Sequence, residues 1–132
     1  MILRPSSSTI KQPAIEHNAQ HVYIRFDYQQ TTIPATEEEP EYTLWNYQEY
    51  YMTDNEYNAI LSGTYSGEWS DALRSIERGA LYDEADKMIS KYSTDVPDNY
   101  KRTAWVQYKH LVRATQGAQG YPQTVEYPER PE

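Results

Sequence analysis

The sequence predicts an α+β fold: an N-terminal antiparallel β-hairpin or small sheet packed with three to four helices and closed by an extended, proline-rich C-terminal tail. Two rhythms carry that prediction. Apolar residues alternate at every second position over residues 21–28 and 41–52, then recur at spacings of three and four between residues 53 and 116. A third observation concerns the end of the chain, where Pro122, Pro128 and Pro131 are interleaved with Tyr121, Val125 and Tyr127. Prolines remove amide donors and hold the backbone extended, so this tail suits neither a helix nor a sheet interior. It must lie along a surface, the chain's own or a partner's.

The 132 residues suffice for one modest core. They divide into an extended N-terminal arm (1–20), a single α+β domain (21–116) and the tail (117–132). Hydrophobic content is only 38%, but 14 tyrosines and 3 tryptophans supply large contact areas, so aromatic rings buried with wet polar tips are the expected packing material. The absence of cysteine fits a reducing cytoplasm and excludes disulfides and thiolate metal sites. No apolar run reaches the roughly 18 residues of a membrane span, and MILRPSSSTIKQPAIE lacks the apolar stretch of a signal peptide. A soluble, unsecreted protein with no membrane partner is expected.

The net charge of -8 is uneven, with 7 Lys and Arg against 16 Asp and Glu in residues 1–97 but 5 against 4 in residues 98–132. An acidic body argues against nucleic-acid binding, which needs a clustered positive surface to neutralise phosphates.

Residues 1–20 contain Pro5, Ser6, Ser7, Ser8 and Pro13 with little periodicity and read as an arm or loop. From His21, Val22, Ile24, Phe26 and Tyr28 share one strand face, with Tyr23, Arg25 and Asp27 on the other. In EYTLWNYQEYYM, Tyr42, Leu44, Asn46, Gln48 and Tyr50 fall on one face and Trp45, Tyr47, Glu49 and Tyr51 on the other. Pro34 and Pro40 bracket an acidic hairpin tip at Glu37, Glu38 and Glu39. Two strands are marginal in water, so helices, further strands from the arm or tail, or a second copy must support them. Aromatics on both faces of the second strand allow two readings: a docking platform at Trp45, Tyr47 and Tyr51, or amphipathic tyrosines at the surface.

Thr53 and Glu56 have the spacing of a capping box, and Gly63 ends the short helix they start. Ser66 or Ser70 can cap a second helix with Leu73, Ile76 and Ala80 on one face, continued by Leu81, Met88, Ile89 and Tyr92. Gly79 is a candidate kink. Ser93, Thr94, Asp95 and Pro97 turn the chain into a third helix over about 97–116, capped by Asp95 or Asp98 and ended by Gly117 and Gly120. In it Ala104, Trp105, Tyr108, Leu111, Val112 and Thr115 occupy a sector about 120° wide. Arg102, Val106, Lys109 and Arg113 lie nearly opposite. Only Asp98 is placed to neutralise this basic stripe within the helix. Lys109 and Arg113 therefore meet solvent, the acidic body, or a partner's acid.

Catalytic chemistry finds little support. His17 and His21 have the spacing of a helical metal pair, but they fall where the chain reads as extended and lack a third ligand, so solvated histidines are expected. Glu37 to Glu39 lack the alternating oxygen donors of a calcium loop. There is no glycine-rich phosphate loop, nucleophile elbow or cysteine nucleophile. A non-enzyme without catalytic residues, metal or cofactor is the expectation.

Trp105, Tyr108, Lys109, Val112 and Arg113, followed by Pro122, Val125, Tyr127, Pro128 and Pro131, resemble the C-terminal signature of bacteriophage tail fibre assembly (tail assembly chaperone) proteins. That signature reads Trp, two residues, Tyr-Arg, two residues, Leu-Arg, a loop, then Pro, two residues, Val, one residue, Trp-Pro, two residues, Pro. Here Lys109 replaces Arg, Val112 replaces Leu and Tyr127 replaces Trp. The resemblance covers roughly the last quarter of the chain.

It implies a chaperone of the host cytoplasm that binds tail fibre subunits, or another tail protein, non-covalently. Trp105, Tyr108, Lys109 and Arg113 form the helical half of the implied site, and Tyr121, Tyr127 and Pro128 the extended half. Trp105 is equally suited to be the core residue that holds the tail down. If the tail binds the client, Tyr127→Ala weakens fibre association with little change in thermal stability, whereas equal loss of both makes the tail structural. The alternative is a small adaptor or collar subunit retained in the virion tail, with the arm or hairpin as a homo-oligomer contact.

Overall fold

The computed structural model of the chain describes residues 1–92 and 99–132. It is α+β, with a four-stranded antiparallel sheet and three α-helices among the described residues. Two compact units are formed, residues Met1–Ala59 and Ile60–Glu132. No helix among the described residues is long and apolar enough to cross a membrane.

The first unit holds β1 (Ile2–Ser8), β2 (Ile15–His17), β3 (His21–Ile33) and β4 (Tyr42–Thr53) in the order β1-β4-β3-β2. The predicted hairpin is its centre: Val22 lies opposite Met52 and Ile24 opposite Tyr50, all four buried on one face. Residues 2–8 and 15–17, read from sequence as part of an arm, are its two edge strands. Their weak periodicity follows from position, since an edge strand with few buried side chains has little need to alternate.

One predicted register fails. A bulge between Phe26 and Gln29, with Asp27 at φ 55°, inserts an extra residue and turns Tyr28 to the opposite face. The Tyr28 ring there lies 5.6 Å from Tyr47 and 6.4 Å from Trp45.

That face is the one with surplus aromatics. A row of charges crosses it, Arg4 to Glu49 at 3.0 Å, Glu49 to Arg25 at 2.7 Å and Arg25 to Glu16 at 2.7 Å. The segment joining β1 to β2 must pass from one sheet edge to the other, and it does so over these side chains. The Pro13 carbonyl accepts from Arg25, the Gln12 carbonyl accepts from the Tyr28 hydroxyl, and the Lys11 ammonium stands 4.9 Å from the Tyr28 ring centre. Burial opposes the Arg25 charge, but the hydrogen bonds it donates to Glu49 and Glu16 outweigh it and leave its pKa raised. His17 meets Tyr57 edge-on at 5.1 Å and His21 stacks on Tyr51 at 4.4 Å, so both histidines serve as ring partners in addition to any solvent contact.

The helical boundaries follow the sequence closely. In α1 (Asp54–Ser62) the Thr53 amide donates to the Glu56 carboxylate at 3.1 Å and the Glu56 amide to the Thr53 hydroxyl at 3.2 Å, the reciprocal capping box. The Thr53 amide holds the Glu56 carboxyl below its ordinary pKa. Ser70 caps α2 (Asp71–Lys91) by accepting from the Leu73 amide, and α2 runs without a break through Gly79.

Helix α3 (Asn99–Ala114) ends in a 3-10 turn at Thr115–Gly117. The predicted start at Pro97, the turn through Ser93 and Thr94, and the caps Asp95 and Asp98 lie outside the described residues. Helices α2 and α3 are antiparallel neighbours, with Lys101 beside the Tyr92 ring and Lys109 beside the Tyr82 ring. Their shared core is Ala85, Trp105, Tyr108 and Val112, joined by Leu81, Met88 and Tyr127. Of the predicted apolar stripe, Leu111 lies outside this core at 48% exposure.

Candidate functional site

Three charged residues on α2, Arg74, Glu77 and Arg78, are each at least 94% buried. Spacings of three and four put them on one side of the helix. What covers them is the C-terminal segment, whose residues 124–132 have no helix or strand.

Arg74 uses its whole guanidinium there. Its Nε donates to the Pro122 carbonyl at 2.8 Å, Nη2 to the Gln123 carbonyl at 2.9 Å and Nη1 to Glu77 at 3.0 Å, while the plane stacks 3.7 Å from the Trp69 ring centre. Only a planar fork can meet three acceptors and a ring together. The Gln123 side chain also closes a two-bond ring with Trp69, accepting from its amide at 3.1 Å and donating to its carbonyl at 2.7 Å.

Two tyrosines seat the segment. The Tyr121 hydroxyl donates to Asp71 and accepts from Arg78, and the Tyr127 hydroxyl donates to Glu77. Burial, then donation to Asp71 and Glu77 respectively, raises the pKa of both phenols, strongly for Tyr127. Gly63 makes room from the other side. At φ +76° it adopts a backbone that side chains resist, and a Cβ there would stand 2.5 Å from the Glu77 carboxylate. Farther along, Arg130 pairs with Glu84 and lies over the Trp105 ring, 5.7 Å from its centre.

The seven residues suggested by the sequence divide between inside and outside. Trp105 (1% exposed) and Tyr108 (7%) belong to the core, so Trp105 is the residue on which the C-terminal segment rests. Tyr121 and Tyr127 are engaged with α2, and Pro128 is half-buried. Lys109 has found an acid of its own chain, with its ammonium 2.7 Å from Asp86. Arg113 is exposed near the C-terminal end of α3. The structure therefore joins Trp105, Tyr108 and Tyr127 in one cluster, places Tyr121 at the start of α2, and leaves Lys109 and Arg113 on the outer side.

Arg74, Glu77, Arg78 and Gln123 were missed. The available signal was charge within a helix of weak apolar periodicity: the stripe of α2 that ought to be apolar carries Arg74, Glu77 and Arg78 instead. Deep inside, Trp105 Nε1 is buried with no hydrogen-bond partner among the described residues. Among those residues no group of three or more His, Asp or Glu is arranged to hold a metal ion. No protein-family model, no curated protein and no solved structure matches this chain.

Proposed function

We propose that this chain is a non-enzymatic assembly protein of a bacteriophage tail, which binds fibre subunits non-covalently until they trimerise or join the tail. The reading rests on one sequence observation, the pattern from Trp105 to Pro131 that resembles the tail fibre assembly signature. It gains support from the way those residues are used. Trp105, Tyr108, Val112 and Tyr127 share one cluster, so the two halves of the pattern make one folded unit. Leu111 and Arg113 are exposed on that unit, beside a half-buried Lys109 held by Asp86, and there charge steers a partner and an apolar side chain anchors it.

Co-expression with the neighbouring tail gene products tests this. Deleting residues 118–132 is expected to stop fibre maturation, and reversing the charge at Arg113 alone to slow it. Normal maturation in both cases sinks the proposal.

The adaptor reading is favoured by a different feature. Strand β1 is an edge strand, and Ile2 and Leu3 on it are more than half exposed. Such an edge suits a shared sheet. Mass spectrometry of purified virions separates the readings: a chaperone is missing from them, and an adaptor is present in stoichiometric amount.

A further inference from the structure

The bulge in β3 is built on a residue its geometry does not favour. Asp27 holds φ 55°, in the left-handed region that glycine enters freely and a side chain enters at a cost. Aspartate tolerates that region better than most residues, yet Asp27 is exposed and its carboxylate forms no hydrogen bond or ion pair among the described residues. The fold makes no internal use of a side chain it carries under strain. Strain of this kind gathers at functional sites, and bulges there aim a side chain at a ligand.

Asp27 lines a cavity of about 470 Å³ over β1, β4 and β3, within the range of roughly 300–1,000 Å³ usual for small-ligand sites. Pro5 and three side-chain amides, Gln29, Asn46 and Gln48, line it too. Gln48 lies opposite Pro5, and Asn46 opposite Gln29, so strand alternation puts all four on one face of the sheet. Asn46 Nδ2 donates to the Thr31 hydroxyl at 2.8 Å, which fixes that amide, while the amides of Gln29 and Gln48 have no side-chain partner among the described residues.

This lining selects by exclusion. It holds a carboxylate and, among the described residues, no lysine, arginine or histidine, so an anion is repelled. One carboxylate is too few for a divalent cation that takes about six or more oxygens. An apolar ligand would strip water from three amides and return no bonds. An added peptide strand finds no free backbone between β1, β4 and β3, which are paired with one another here. A neutral polyhydroxyl compound fits, because each hydroxyl donates and accepts, the carboxylate accepts, and the amides do both.

We propose that this cavity is a binding site for a neutral saccharide, with Asp27 accepting from its hydroxyls and Gln29, Asn46 and Gln48 exchanging hydrogen bonds with others. The site lies wholly in the first unit and is independent of the client-binding role.

Titration of the full-length chain with glucose, galactose, mannose and N-acetylglucosamine, followed by nitrogen–proton correlation spectra, tests this. At least one sugar should shift the side-chain amide signals of Gln29, Asn46 and Gln48 and saturate at concentrations on the order of millimolar. Asp27→Gly should weaken that binding about tenfold or more while the thermal midpoint holds or rises, because the backbone strain is relieved. Gln29→Ala, at an exposed position, should weaken the same titration.

Absence of a saturating shift with all four sugars overturns the proposal, as does a response to inorganic phosphate alone. Wild-type affinity in Asp27→Gly removes the carboxylate from the site and overturns it as well. A lower thermal midpoint in that variant would make Asp27 a structural residue, which is the remaining way for the proposal to fail.

Discussion

At the scale of single residues, the most informative side chain is Arg74, because four different contacts converge on one guanidinium. Lysine keeps the charge but offers a point rather than a fork, so the carbonyls of Pro122 and Gln123 cannot both be satisfied. Arg74→Lys is expected to lower unfolding free energy by about 1–3 kcal/mol, read from urea denaturation, and to increase proteolysis after residue 118. A variant as stable and as protease-resistant as wild type would show that the fork is dispensable. Tyr127 illustrates how context changes a substitution's meaning. Taken as a tail residue it could be truncated with little loss of stability. As a member of the Trp105 cluster its truncation removes both ring packing and the bond to Glu77, so binding and stability are expected to fall together.

Secondary-structure elements carry their own predictions. Helix α2 runs through Gly79 with nothing within 4 Å of where a Cβ would stand. Gly79→Ala should therefore raise stability by about 0.4–1 kcal/mol, measured by thermal or chemical unfolding. A decrease would mean that the helix depends on the glycine. The C-terminal segment should respond to alkali. Tyr121 and Tyr127 have folded pKa values raised above the ordinary 10.0. Their contribution is complete below the unfolded value and is lost as pH climbs through the folded one. Between about pH 8 and about pH 11, wild type is expected to lose more stability than Tyr127→Phe, which has no phenol to ionise at that position. Parallel losses in the two proteins would dismiss the coupling.

At the scale of the whole molecule, charge is distributed so that an acidic chain of net -8 ends in a near-neutral quarter with Arg113 exposed. Arg113→Glu should change stability by no more than about 0.5 kcal/mol, as expected of a surface site. On the chaperone reading it should slow client association, and the difference should shrink as salt is raised. Kinetics at two ionic strengths check this, and a salt-independent rate equal to wild type would remove Arg113 from the interface.

Much was legible in the sequence because it depends on neighbours along the chain. The alternation through Val22, Ile24 and Tyr50, the Thr53 and Glu56 capping box, a helix cap at Ser66 or Ser70 and the Trp105–Tyr108–Val112 stripe are local patterns, set by residues near one another in sequence. The α+β class followed from them. Tertiary structure alone decided the rest, because the deciding contacts join residues far apart in sequence. The bulge at Asp27 turned Tyr28 across the sheet, β1 and β2 found opposite edges, and the stretch between them covered the aromatic face. Nothing local to α2 marks Arg74, Glu77 and Arg78 for burial; residues 121–130 cover them from some 45 positions away. Periodicity reports which side of an element is apolar. It cannot say when a charged side will be buried by a distant segment bringing its own carbonyls and phenols.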